Sequence, residues 1–289
     1  MSIPINSLCV QCLLNKQIQN AQGLGNDETL FSFIKACMRI ILDGEPEDNS
    51  SVIGARINKL YAEFFGISQD RFQAEKEASN RFIMERLEKI RQRVQRSDDP
   101  VLTALQYAIL GNYIDFSALG KNVSFETLDQ MLEIPEKFAF EGTAYESFCR
   151  ELAAAKTLLY LTDNAGELGF DWVLADELKR RYPNLQITFC VRGYPVYNDA
   201  TREDYAWMGI PFPVMDSGSD IGGTDLKYVS QQTRTAVENA DIVLAKGMGN
   251  TETLWGCGHN VYYAFLVKCK RFEQVFEKPH MPPMFIKEI

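Results

Sequence analysis

Leu158-Leu159-Tyr160-Leu161-Thr162-Asp163-Asn164-Ala165-Gly166-Glu167 is the stretch on which the fold turns. Four apolar residues between polar neighbours are too few for a helix and suit a buried strand, and a helical stripe over 170–182 follows at once. The same alternation recurs downstream. Residues 187–191 read as strand, 200–208 and 226–239 as helix, 242–245 as strand, and 261–267 as a second short apolar run. Strand alternating with helix predicts an α/β protein with a parallel or mostly parallel sheet covered on both faces. Upstream of about residue 155 the pattern is different. Leu30, Phe33, Ile34, Cys37 and Ile41 recur at helical spacing, as do Ile83, Leu87, Ile90 and Val94 within one long charged helix over 71–96 that ends before Pro100. A short helix leading to Gly111 and another capped by Ser124 complete a mainly helical region. The chain is therefore expected to divide into a helical part, 1–150, that covers the site, and an α/β part, 151–289.

The 289 residues are 46% hydrophobic and 24% charged, which excludes general disorder, a collagen-like repeat and a disulfide miniprotein. Thirty Lys and Arg against 39 Asp and Glu give a net charge of −9, so no nucleic-acid surface is expected, and an anionic ligand must be drawn by local positive charge. The run 261–267 is far shorter than the roughly 20 residues of a membrane span. No secretory leader is read at the N-terminus, and the seven cysteines are odd in number and dispersed. Both features predict reduced thiols and a cytoplasmic protein.

Open α/β sheets bind ligands beyond the carboxyl ends of their strands. Three such segments stand out: Thr162 to Glu167, Arg192 to Thr201, and Lys246 to Glu252. Asp163, Asn164 and Asp199 together make an all-oxygen set of the kind hard divalent cations prefer. Singly, Asp163 and Asp199 read as helix caps or turn formers; jointly with the Lys246 loop they read as a site. Lys246 with Gly247-x-Gly249-Asn250 offers an ammonium and approachable backbone amides to a phosphate, although neither the Walker loop nor the dinucleotide fingerprint is present. Glu167 and Asp171, four residues apart on one helix face, offer a base or a supporting carboxylate, or simply suit a helix N-terminus. Asn112 and Asp115 lie in a polar island that is either site or turn. Cys9-Val10-Gln11-Cys12 has zinc or redox spacing with no second pair to complete a tetrahedral site, and buried reduced thiols explain it equally. His259 and His280 belong to no catalytic arrangement.

These blocks resemble the damage-control phosphatase family, long catalogued as a domain of unknown function. The resemblance rests on Asp163-Asn164-Ala165-Gly166-Glu167 with Phe170-Asp171, on Asn198-Asp199-Ala200-Thr201 with Asp204, on Ala240-Asp241 before Lys246-Gly247-x-Gly249-Asn250-x-Glu252, and on Lys268-Cys269. Cys9-x-x-Cys12 and Gly111-Asn112-x-Ile114-Asp115-Phe116 resemble its mainly prokaryotic branch. The resemblance implies a helical N-terminal part packed on a Rossmann-like three-layer α/β/α domain. It also implies a phosphatase dependent on a divalent metal (Mg, Mn, Co or Ni) that acts on small phosphorylated metabolites, such as sugar phosphates or side-product phosphate esters. Carried over, Asp163, Asn164 and Asp199 hold the metal, while Lys246 and the turn to Asn250 meet the phosphate; Asp163 and Glu167 are the catalytic candidates of the residues' own reading. Lys246, Gly247, Asn250, Glu252, Asn198, Asn112 and Asp115 are candidates for meeting substrate, and Cys9 and Cys12 for a second metal or redox site.

The expected chemistry is in-line attack on a phosphomonoester, with either a metal-activated water or the Asp163 carboxylate as nucleophile. An S-adenosylmethionine-dependent methyltransferase is a rival, weakened by the acidic loop after the first strand; a non-catalytic metal-binding scaffold is another. Substrate and oligomeric state are not read from the sequence.

Overall fold

Successive residues of the strand Thr157–Leu161 (β1) point to two different buried layers, the geometry that a run of consecutive apolar residues requires. The computed structural model describes residues 2–68, 70–115 and 123–288. Leu158 and Tyr160 join one core, and Leu159 and Leu161 the other. The remaining strands are Gln186–Val191 (β2), Val214–Asp216 (β3), Ile242–Lys246 (β4), Val261–Leu266 (β5) and Pro283–Lys287 (β6). They form one sheet in the order β3-β2-β1-β4-β5-β6, parallel throughout except for β6, which runs antiparallel to β5. The mostly parallel α/β sheet is thus as expected. The order reverses between β1 and β4, so the crevice at their carboxyl ends is the topological switch point.

One core joins the two halves of the chain. Ile83, Leu87, Ile90 and Val94, all buried, pack with the helix Pro100–Gly111 and the helix Leu168–Arg181 onto β1, β2, β4 and β5. The opposite face of the sheet is covered by Val237, Leu254 and Phe272. A separate apolar cluster binds the helices Ser7–Ala21, Asp27–Leu42 and Ser50–Phe65 to one another through Leu13, Phe33, Cys37, Ile57 and Tyr61.

Four local readings change. The charged helix of 71–96 is two helices, Gln73–Met84 and Leu87–Arg96. Arg86 breaks it: its amide reaches the Ile83 carbonyl, and its guanidinium takes the Phe82 carbonyl at 3.0 Å and Asp129 at 2.7 Å. The helix expected over 226–239 begins only at Gln231, because Ser230 caps it through the Thr233 amide. Residues 200 and 201 are extended, and Thr201 and Asp204 form a capping box for the helix Arg202–Met208. Strands β3 and β6 lie at the sheet edges and carry no periodic signal. Among the described residues no helix is long and apolar enough to cross a membrane.

A candidate active site at the switch point

Strand β1 runs directly into Thr162, Asp163 and Asn164, and the loop that follows β2 folds back over them. Ala165 donates its amide to the Asn198 carbonyl at 2.9 Å, and Ala200 donates to the Asp163 carbonyl at 2.8 Å. Asn164 and Asp199 therefore pair as an isolated antiparallel bridge. Two loops separated by some 35 residues present Asp163, Asn164 and Asp199 on one surface. From the other side comes Gly247, the first residue of the helix Gly247–Leu254 after β4. Its φ of +79° and its contact with Asp163 demand glycine: a Cβ there would stand 1.9 Å from Asp163 Oδ2.

A hydrogen-bonded network surrounds these residues. Asp163 Oδ2 accepts from Asn112 Nδ2 at 2.8 Å and from Asn164 Nδ2 at 3.1 Å. The same two amides donate to Glu167 Oε1 at 2.8 and 2.6 Å. Lys246 Nζ donates to Glu167 Oε2 at 2.8 Å and to Asp171 Oδ1 at 3.0 Å, and the Tyr160 hydroxyl donates to Asp171 at 2.7 Å. Burial pulls the Lys246 ammonium down, but Asp171 and Glu167 outweigh it and hold the group above its ordinary value. Arg192 Nε donates to Asp199 Oδ2 at 2.6 Å, while its Nη2 stands 3.7 Å from Asp163 Oδ1 without a hydrogen-bond partner. Lys268 Nζ donates to Asp115 at 2.6 Å and to the Asn112 carbonyl at 2.7 Å.

The surface opens into a cavity of about 470 Å³, a size suited to a small metabolite. Its lining includes Asp115, Asp163, Asn164, Asp199, Glu252 and Lys268, together with Cys9 and Cys12 on the helix Ser7–Ala21. Strand ends and the N-terminal helix therefore meet at one site. Other candidates stand behind that lining. Lys246 is fully buried, its ammonium already holding two carboxylates, so it does not line the cavity where a phosphate contact was expected. Glu167, fully buried too, orients Asn112 and Asn164. Asn250 ties the loops together, donating to the carbonyls of Thr162 and Lys246 and accepting from Thr224. Asn198 donates to the Ile114 carbonyl. Glu252 also accepts from the hydroxyls of Ser50 and Ser51, anchoring the start of the helix Ser50–Phe65. Phe116, the last residue of the Gly111 block, lies outside the described residues. Cys9 is buried, Cys12 exposed, both as thiols, and Cys269 lines the same cavity. Arg192 was not singled out from the sequence, although it occupies the same position after β2 that marked Thr162 after β1; nor were Lys16 and Tyr197.

The donor chemistry fits a hard divalent cation. Among the described residues the linked network sets five carboxylates (Asp115, Asp163, Glu167, Asp171, Asp199) against three cations (Arg192, Lys246, Lys268). Burial, reinforced by Glu167 and Asp199, pushes the Asp163 carboxyl well above the usual carboxylate range. Burial also raises Asp199 against the pull of Arg192. With both Asn164 amide hydrogens turned toward Asp163 and Glu167, its carbonyl oxygen is the end left to ligate. The set is two carboxylates and an amide oxygen; among the described residues no group of three or more His, Cys, Asp and Glu side chains is placed to hold a metal.

The chain matches a family model described as the damage-control phosphatase ARMT1-like domain over residues 5–280. A damage-control phosphatase of Archaeoglobus fulgidus is 32% identical over 255 residues, 86% of this chain and 87% of that protein. An uncharacterised protein of Methanocaldococcus jannaschii is 30% identical over 285 residues, 93% of this chain and 90% of its own length. The crystal structure of a DUF89 family protein from Pyrococcus horikoshii shares the fold over 100% of both chains, with a TM-score of 0.86 at 24% identity.

Proposed function

We propose that this chain, which belongs to the ARMT1-like damage-control phosphatase family, hydrolyses phosphate monoesters of small metabolites in the cavity at the carboxyl ends of β1, β2 and β4, with a divalent cation held by Asp163, Asn164 and Asp199. The observation that carries this reading is the convergence of those three oxygen donors on one cavity wall inside a network whose described residues are richer in carboxylates than in cations. When bound, the cation supplies Lewis-acid polarisation of a phosphoryl oxygen and neutralises charge that develops in the transition state.

The chain's own residues supply the positioning. Asn112 and Asn164 hold Asp163 Oδ2, which leaves Oδ1 outside those two bonds and 3.7 Å from Arg192 Nη2, and Arg192 holds Asp199. Glu167 acts through the two asparagines it accepts from, and Lys246 acts through Glu167. Lys268, its ammonium held by Asp115 and the Asn112 carbonyl, adds positive charge at the cavity wall rather than the direct phosphate contact that the sequence assigned to Lys246. The nucleophile is a water or Asp163 itself, and trapping of an acid-stable phosphoenzyme distinguishes them. A cytoplasmic setting agrees with the reduced thiols.

Phosphate release from sugar phosphates, nucleotides and an aryl phosphate tests the reading, using metal-stripped protein with each divalent ion added back. Release that needs the ion and is abolished by Asp199→Ala is expected. No release with any ion from a folded protein that still binds metal would favour the scaffold reading instead.

A further inference from the structure

The helix Ser7–Ala21 brings a third functional side chain to the cavity. Lys16, four residues past Cys12 on the same face, lines it beside Tyr197, its ammonium 5.0 Å from the centre of the Tyr197 ring. Close by, the Arg71 guanidinium stacks 3.7 Å from the centre of the Tyr61 ring, with Nη1 buried and without a hydrogen-bond partner. Among the described residues neither Lys16 nor Arg71 makes an ion pair. Both are half-buried, whereas the buried cations around the site are all matched: Lys76 by Asp204, Lys246 by Glu167 and Asp171, Lys268 by Asp115, Arg192 by Asp199.

Two neighbouring half-buried cations that make no ion pair among the described residues set a positive corner on a cavity whose wall is acidic at Asp163 and Asp199, with Lys16 in the lining itself. Burial holds the Lys16 ammonium below its ordinary value; Asp115 opposes that shift, while Arg71 and Lys268 add to it. Burial likewise lowers Arg71. Tyr197, which contributes its ring to this corner, is itself strained: its φ of +48° is rare for a bulky residue. Its hydroxyl is seated where only glycine leaves room, a Cβ at Gly54 falling 2.7 Å from it. A strained ring held in a glycine notch, lining with Lys16 the same cavity as Asp163, is the arrangement of a ligand-facing wall.

We propose that Lys16, with Arg71 adding positive charge beside it, forms a second anion subsite, so that the preferred substrates are phosphate esters that carry a further negative group, a carboxylate or a second phosphate, away from the ester being cleaved. This rests on the phosphatase reading given above. The reacting phosphate is placed at the Asp163 end of the cavity and the second anion at the Lys16 end, which selects among small phosphorylated metabolites by charge rather than by shape.

Matched substrate pairs test it: glycerol 3-phosphate against 3-phosphoglycerate, and fructose 1-phosphate against fructose 1,6-bisphosphate. In the wild type kcat/KM favours the second member by at least about tenfold, equivalent to 1.4 kcal/mol. The carboxylate and phosphate arms show which anion is read. Lys16→Met brings the ratio within each pair toward one, by a loss on the doubly anionic member carried mainly in KM, as expected for a contact made equally in ground and transition state. Lys16→Arg restores the ratio, and Arg71→Gln lowers it independently should Lys16→Met fail to fold. Equal kcat/KM within both pairs for the wild type, or proportional losses on both members in the variants, overturns the subsite. Absence of phosphate release from all four substrates with every cation overturns the phosphatase reading itself, and the subsite with it.

Discussion

Lys246 offers the sharpest test of how the site is built. It is wholly buried and bridges two wholly buried carboxylates, Glu167 at 2.8 Å and Asp171 at 3.0 Å. Replacing it with Met keeps the volume and removes the charge, leaving both carboxylates uncompensated. Removing one partner of such a buried set costs about 3–5 kcal/mol. At the lower end of roughly 2–4 °C per kcal/mol, appropriate to a long chain, Tm falls by about 6–10 °C. The penalty depends on pH with a definite sign. Burial, against the pull of Lys246, pushes the Asp171 carboxyl up to about 6 in the folded protein. A folded value above the unfolded one of about 3.9 means that the native state binds the proton more readily, so stability from this group is lost as pH rises from about 4 to about 6. Without Lys246 the folded value rises further and the window of loss extends upward. Differential scanning fluorimetry of wild type and Lys246→Met therefore shows a larger Tm gap at pH 8 than at pH 5.5, and adding Asp171→Asn to the variant recovers part of it. A gap that is independent of pH, or a total loss below about 1 kcal/mol, would refute the reasoning and return Lys246 to the role of direct phosphate contact.

Two further outcomes follow from the same geometry. Gly247→Ala places a methyl group 1.9 Å from Asp163 Oδ2 in a left-handed conformation; it is expected to lower stability by about 1–2 kcal/mol from the backbone alone and to reduce phosphate release by at least about a hundredfold, because Asp163 must move, as steady-state kinetics and thermal unfolding together reveal. Because burial and the neighbouring carboxylates hold Asp163 above the ordinary carboxylate range, cation binding must displace its proton, so the apparent affinity for Mn²⁺ measured by calorimetry falls by about tenfold per pH unit on acidification through the titration range, with proton release that varies with buffer; affinity flat with pH would contradict this.

What the sequence made legible follows from which interactions are local. Strand β1 and the helix after it were plain in the apolar run 158–161 and the stripe that follows, because a buried parallel strand has no polar face to confuse the reading. Strands β3 and β6 were not, since β3 is three residues long and β6 opens with Pro283 at the sheet edge, where proline is tolerated and periodicity is lost. The break at Arg86 depends on Asp129, 43 residues away. At the site, the rule that ligands meet strand ends brought Asp163, Asn164 and Asp199 to notice, and the fold does place them together. It did not separate residues that face the cavity from those behind it. Lys246, Glu167 and Asn250 carry the same residue types as surface ligands, and only tertiary partners 75 to 88 residues distant consume them. Lys16 and Arg71 were missed for the converse reason: a lysine and an arginine on helical segments read as solvated charges until the fold sets them against the Tyr197 and Tyr61 rings beside the cavity.

Everything proposed for the site depends on Asp163, Asn164 and Asp199 holding a cation at the switch point of the sheet. Crystals of metal-stripped protein soaked in Mn²⁺ and measured for anomalous scattering at the manganese edge test it most directly. One strong peak is expected within about 2.0–2.4 Å of a carboxylate oxygen of Asp163, the amide oxygen of Asn164 and a carboxylate oxygen of Asp199, absent from crystals of Asp199→Ala. A peak held by Cys9 and Cys12 instead, or none at this position while phosphate release still requires Mn²⁺, would contradict it.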